Sequence, residues 1–162
     1  MQKIYIETSV ISFKTSRLSD NIDTCRMQLK TKRFWEYATK HFETYISDVV
    51  IAEIEKGDKS ASIKRLKTIE NFKAIETTLE AIKLSEKYLK LLKLPDKASL
   101  DALHIAIACI YKMDFLVTWN CKHIANGEFI RKINDYNNKY KIYNSIIVTP
   151  DFLLGGELDD EK

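Results

Sequence analysis

Two hydrophobic periods alternate along this chain. Short runs rich in β-branched and aromatic residues, KIYIE (3–7), ETYIS (43–47), FKAIE (72–76), FLVTW (115–119) and SIIVTP (145–150), predict strands. Between them the apolar residues recur at helical spacing. Residues 20–42 group Phe34, Trp35, Ala38 and Phe42 on one side of a long helix. VVIAEIEKG (49–57) predicts a helix that Gly57 can close, and SASIKRLKTIE (60–70) another. TLEAIKLSEKYLKLLK (78–93) is amphipathic and stops before Pro95. KASLDALHIAIACIYK (97–112) is apolar on nearly every face, the pattern of a helix buried in the centre. A last helix is predicted near 122–139.

Strands separated by helices of this length cannot pair as hairpins. They require crossover connections, hence a mostly parallel sheet covered on both sides: an α/β sandwich. No internal repeat or low-complexity linker divides the chain. The expectation is one domain over 1–154, followed by a flexible acidic tail, GGELDDEK, at 155–162.

Composition narrows the class. Gly (4) and Pro (2) are too scarce for a turn-rich all-β fold. The cysteines, Cys25, Cys109 and Cys121, are odd in number and lack metal-type spacing, which fits a reduced, cytoplasmic setting. No apolar run is long enough to cross a bilayer, and the N-terminal run, broken at Glu7 with no basic region before it, does not read as a signal peptide. The net charge is +3. Without the final ELDDEK, 25 Lys and Arg face 19 Asp and Glu, an excess that favours a polyanionic partner without requiring one.

The candidate chemistry lies in the acids. In open parallel sheets, ligands bind beyond the carboxyl ends of the strands. Glu7 falls where strand one ends, Glu53 in the helix after strand two, and Asp101 near the positive start of the apolar helix. Asn120 follows FLVTW at the tip of strand four. These four oxygen-bearing side chains are predicted to meet at one edge of the fold, where oxygen donors suit Mg²⁺ or Mn²⁺ better than zinc.

Each has a plainer explanation. Glu7 could pair with a Lys or cap a helix, Glu53 could be a solvated helix position, and Asn120 could simply end a strand. Asp101 is harder to dismiss, because an unpaired carboxylate among buried residues costs on the order of several kcal/mol. Lys97, four residues earlier, is its candidate ion-pair partner. His104 and His123 read as packed or hydrogen-bonding histidines rather than ligands.

YIETSVIS, SDVVIAEIEKGD, DKASLDALHIAIA and MDFLVTWNCKHIAN, in this order and spacing, closely resemble the PIN domain family. The likeness is to the VapC-like toxins of prokaryotic type II toxin–antitoxin systems, over residues 3–154. The resemblance implies a three-layer α/β/α sandwich and a Mg²⁺- or Mn²⁺-dependent ribonuclease that leaves a 5′-phosphate and a 3′-hydroxyl. It assigns catalytic acids to Glu7, Glu53 and Asp101, metal ligation to Glu7, Asp101 and Asn120, and supporting hydroxyls to Ser9 and Thr118. It also implies an RNA substrate, a homodimer and a small antitoxin whose tail enters the cleft.

Two positions depart from the family pattern. Glu7 stands where Asp is usual and is longer by one C–C bond, about 1.5 Å. Asn120 stands where Asp is frequent, leaving three carboxylates instead of four. A non-catalytic RNA- or protein-binding module with a weakened metal site is therefore the alternative. A phosphatase is disfavoured, since no glycine-rich phosphate loop or Asp-x-Asp pair follows strand one. Lys14, Arg17 and Lys122 are candidates for positioning an RNA backbone.

Overall fold

A computed structural model of the chain describes residues 1–154, so the acidic tail expected at 155–162 lies outside the described residues. At the centre runs β1 (Lys3–Ile6), whose Ile4, Tyr5 and Ile6 are fully buried. It pairs with β2 (Glu43–Ser47) on one side and β4 (Phe115–Val117) on the other. β3 (Lys73–Ile75) and β5 (Ile146–Val148) form the two edges, each only three residues long. All pairings are parallel, in the order β3-β2-β1-β4-β5.

Among the described residues seven α-helices make the crossovers. α1 (Thr8–Thr15) and α2 (Ile22–His41) link β1 to β2, and α3 (Asp48–Glu55) and α4 (Lys59–Thr68) link β2 to β3. α5 (Leu79–Leu92) and α6 (Ser99–Ile110) then carry the chain to β4, and α7 (Gly127–Lys139) to β5. The chain steps outward in one direction from β1 to β3, then returns to the other side of β1. Right-handed crossovers made in opposite directions fall on opposite faces. Accordingly α1 packs with α2, α3 and α4, while α5 packs with α6 and α7. The architecture is the three-layer sandwich expected from the sequence.

Local chemistry sets the helix ends. Asn21, Ser47, Asp58, Thr78 and Asn126 cap α2, α3, α4, α5 and α7 through their side chains. α5 closes at Lys93 in the left-handed region (φ 52), two residues before Pro95. α6 buries Ala102, His104, Ile105, Ala106, Ile107, Ala108 and Cys109, as its all-round apolarity predicts.

Two elements differ from expectation. Residues 8–15 form α1, although their sequence has no apolar stripe to mark a helix. The last helix begins at Gly127 rather than near 122. Asn120 accepts the amides of Ile124 and Ala125 on its carbonyl, which closes residues 120–125 into a turn, and Asn126 supplies the cap of α7.

Candidate functional site

The strand order reverses between β1 and β4, so the segments leaving these two strands turn to opposite faces at the carboxyl edge of the sheet, the switch point where open α/β sheets bind ligands. Glu7 stands at the β1 side of that switch point and Thr118 to Asn120 at the β4 side.

Glu7 is 5% exposed and caps α1, its side chain accepting the Ser9 amide. Glutamate is an unusual cap; here its extra methylene lets Oε2 turn back over the first helical turn. The same oxygen accepts the Ser9 hydroxyl in a short contact and the Thr118 hydroxyl at 2.8 Å. Three donors on one oxygen offset the cost of burying the charge. Helix capping and site placement are thus one arrangement.

From Thr118 a connected network runs to Asp101. Thr118 Oγ1 accepts the Asn120 amide at 2.9 Å, and Asn120 Oδ1 accepts the His123 amide at 3.0 Å. His123 Nδ1 then meets Asp101 Oδ2 at 2.8 Å. Asp101 lies in the first turn of α6, where the helix dipole favours its charge. Its partner is His123 and not Lys97, which forms no ion pair among the described residues. Lys97 precedes α6, in a 3-10 turn at Asp96–Ala98, so helical i to i+4 geometry does not bring it over Asp101.

A second network holds Glu53. Its Oε1 accepts the Thr8 hydroxyl at 3.1 Å and faces His104 Nε2 at 2.6 Å. His104 Nδ1 lies 2.7 Å from the Tyr5 hydroxyl, itself 2.7 Å from Ser47 Oγ. The two networks adjoin: Thr8 follows Glu7, and His104 stands one turn from Asp101 on α6.

The electrostatics agree with this clustering. Burial disfavours the His104 cation, but the hydrogen bond to Glu53 and the charges of Glu7, Glu53 and Asp101 outweigh it and raise its pKa. Burial likewise opposes ionisation of Glu53, yet the hydrogen bond and charge of His104 and the Thr8 hydroxyl lower its pKa overall. Burial drives the Tyr5 phenol well above its usual range, with a smaller contribution from the charges of Glu7, Glu53 and Asp48. One imidazole therefore senses all three acids.

The histidines are hydrogen-bonded, as the sequence predicts, and each holds a candidate acid, which it does not predict. Asp101 and His104, three apart on one helix, share a face, and that spacing was the available signal. Ser9 donates to Glu7, and Thr118 donates to Glu7 while accepting the Asn120 amide, so its hydroxyl touches both positions.

The donor set bears on a divalent cation. Among the described residues no three His, Cys, Asp or Glu side chains form a ready cage for a metal ion. Each acid is nevertheless held through one oxygen: Glu7 by Oε2, Glu53 by Oε1 and Asp101 by Oδ2. The other oxygen of each has no protein hydrogen bond among the described residues. Mg²⁺ is commonly held by one or two carboxylates together with water and substrate phosphate, without a full protein cage. These residues fit that mode. Asn120 fits less simply, because its Oδ1 already accepts the His123 amide.

No family model and no curated protein sequence matches the chain. Solved structures do. A Rickettsia felis VapBC complex bound to a promoter DNA fragment aligns at TM-score 0.59 and 17% identity, over 91% of this chain and 98% of the matched one. A Klebsiella pneumoniae toxin–antitoxin complex aligns at TM-score 0.60 and 18% identity, over 91% and 98%. A Mycobacterium tuberculosis VapC toxin that cleaves the sarcin–ricin loop aligns at 0.54 and 15%, over 77% and 95%. The fold is that of the VapC toxins. Every pairing that defines the central sheet is parallel, and the likeness spans nearly the full length of this chain and of the one matched chain in each complex.

Proposed function

We propose that this chain is a divalent-metal-dependent endoribonuclease and the toxin of a type II toxin–antitoxin pair. One observation carries the reading: at the switch point of a VapC-like sheet, Glu7, Glu53 and Asp101 are each fixed by one oxygen and keep the other for a ligand.

Glu7 and Asp101 would hold Mg²⁺ or Mn²⁺, with Asn120 assisting through water. Such an ion lowers the pKa of water and offsets charge that builds on a phosphoryl oxygen. Glu53, with its pKa lowered, is ionised near neutral pH and accepts a proton from the attacking water through Oε2. The water oxygen forms a bond to phosphorus as the bond to the 3′ oxygen breaks. The leaving oxygen takes a proton from solvent, giving a 5′-phosphate and a 3′-hydroxyl. Lys14, Arg17 and Lys122 form no ion pair among the described residues, which leaves them for backbone phosphates.

The partners follow from the same reading. An antitoxin segment would cover the acids at the switch point, a second copy of the chain would complete a homodimer, and the three free thiols suit a cytoplasmic location. No helix among the described residues is long and apolar enough to cross a membrane.

The test is cleavage of a mixed RNA pool with Mn²⁺ or Mg²⁺. Cleavage is expected to stop on chelation and in Asp101→Asn. Undiminished cleavage by that variant would sink the assignment. Binding of RNA without cleavage by the wild-type chain would favour the alternative, a non-catalytic module, which the engagement of Asn120 Oδ1 by His123 supports.

A further inference from the structure

Glu53 is attached to a ring of hydrogen bonds that begins and ends on its own helix. The Val50 amide donates to Ser47 Oγ at 3.3 Å; Ser47 meets Tyr5, Tyr5 meets His104, and His104 meets Glu53, one turn beyond Val50 on α3. The path crosses β2, β1 and α6 before it returns. Ser47 and Tyr5 are fully buried and His104 is 1% exposed, whereas the Glu53 side chain is 27% exposed. A dry polar track therefore ends at one wet carboxylate.

The donors can be assigned along this track. A carboxylate only accepts, so His104 Nε2 carries a proton and donates to Glu53 Oε1. In the neutral ring Nδ1 then accepts the Tyr5 hydroxyl, the Tyr5 oxygen accepts the Ser47 hydroxyl, and Ser47 accepts the Val50 amide. Each group is satisfied in one direction. Stability alone does not explain the arrangement, because well-packed apolar residues serve a core as well as or better than a buried polar chain. What this chain does is fix the orientation of Glu53.

We propose that His104 is a positioning residue for phosphodiester hydrolysis, holding Glu53 by Oε1 so that Oε2 alone meets the attacking water, with Tyr5 and Ser47 fixing the imidazole ring. This rests on the nuclease reading of the site. His104 does not touch the reacting atoms and acts only through Glu53. Partners of this kind are worth about 10- to 100-fold when removed from sites where their orienting role is known.

The experiment compares steady-state RNA cleavage in Mn²⁺ by the wild-type chain, Tyr5→Phe, His104→Asn and His104→Gln, with Mn²⁺ affinity measured by calorimetry. His104→Asn is expected to lower kcat about 100-fold and Tyr5→Phe about 10-fold, with KM within about twofold. His104→Gln, whose side-chain amide places an N–H where Nε2 was, recovers about tenfold of the Asn loss. Mn²⁺ affinity stays constant throughout. Tyr5→Phe keeps the shape of the core and serves if His104→Asn does not fold. Unchanged kcat in Tyr5→Phe and His104→Asn overturns the proposal, as does a loss that His104→Gln fails to relieve or that weaker Mn²⁺ binding explains. Nitrogen-15 spectra of the imidazole give a readout independent of activity. A His104 proton on Nε2 supports the proposal, and a neutral ring protonated on Nδ1 overturns it. Absence of cleavage by the wild-type chain would instead remove the nuclease reading, while the tautomer still reports on the tie to Glu53.

Discussion

Thr118 donates its hydroxyl to Glu7 at 2.8 Å across 111 residues of sequence, and the same oxygen accepts the Asn120 amide at 2.9 Å. One hydroxyl thus joins the tips of β1 and β4 at the point where the sheet order reverses. Thr118→Val keeps the shape and removes both bonds. Glu7 keeps its two bonds from Ser9 while the Asn120 amide loses its acceptor, a loss of about 1–3 kcal/mol for a group left unmet. Urea unfolding is expected to show a lower midpoint with an unchanged slope, and Thr118→Ser is expected to restore most of it. A Val variant as stable as wild type would show that the hydroxyl does not anchor Glu7.

Metal binding should appear as stability before it appears as activity. A ligand that binds only the folded chain adds about 2.7 kcal/mol at a hundredfold excess over its Kd. Mn²⁺ is therefore expected to raise Tm in the wild-type chain and to leave Glu7→Gln and Asp101→Asn unmoved. Equal shifts in all three, measured by calorimetric melting, would place the ion elsewhere.

The Glu53–His104 pair shapes the dependence of stability on pH. The raised His104 pKa contributes stability that is full below the unfolded-chain value of histidine and is lost as pH rises through the folded value. The lowered Glu53 pKa contributes stability that is present above the unfolded-chain value of glutamate and is lost as pH falls through the folded value. Tm should therefore be highest between the ordinary glutamate and histidine ranges. Glu53→Gln is expected to flatten both shoulders; a profile parallel to wild type would separate the two titrations from folding.

RNA binding can be read apart from cleavage in Asp101→Asn. On single strands the logarithm of affinity falls with the logarithm of salt at about −0.7 per neutralised phosphate. Replacing Lys14, Arg17 or Lys122 by Gln is expected to reduce that slope by roughly one contact each. A slope unaltered in all three variants would exclude them from the backbone path.

The elements legible in the sequence were those whose pattern is local. The apolar runs of β1 and α6 announced their burial, and an acid placed directly after Ile6 marked the strand end as a candidate site. α1 was not legible, because its helix depends on Glu7 as a cap and on packing against α2, α3 and α4. The histidine partners were hidden for a related reason: His104 meets an acid 51 residues away and His123 one 22 residues away, distances that only the tertiary fold closes. Lys97 misled through its spacing, since the i to i+4 rule presumes a helix that has not yet begun at that residue.

The three-residue strands at either rim of the sheet bear on how the molecule meets others. A stranger's backbone laid along β3 or β5 would find only a few amides and carbonyls to match, too short a template for extended pairing. On the proposed toxin reading, a second copy or an inhibitor would have to bind helix faces instead.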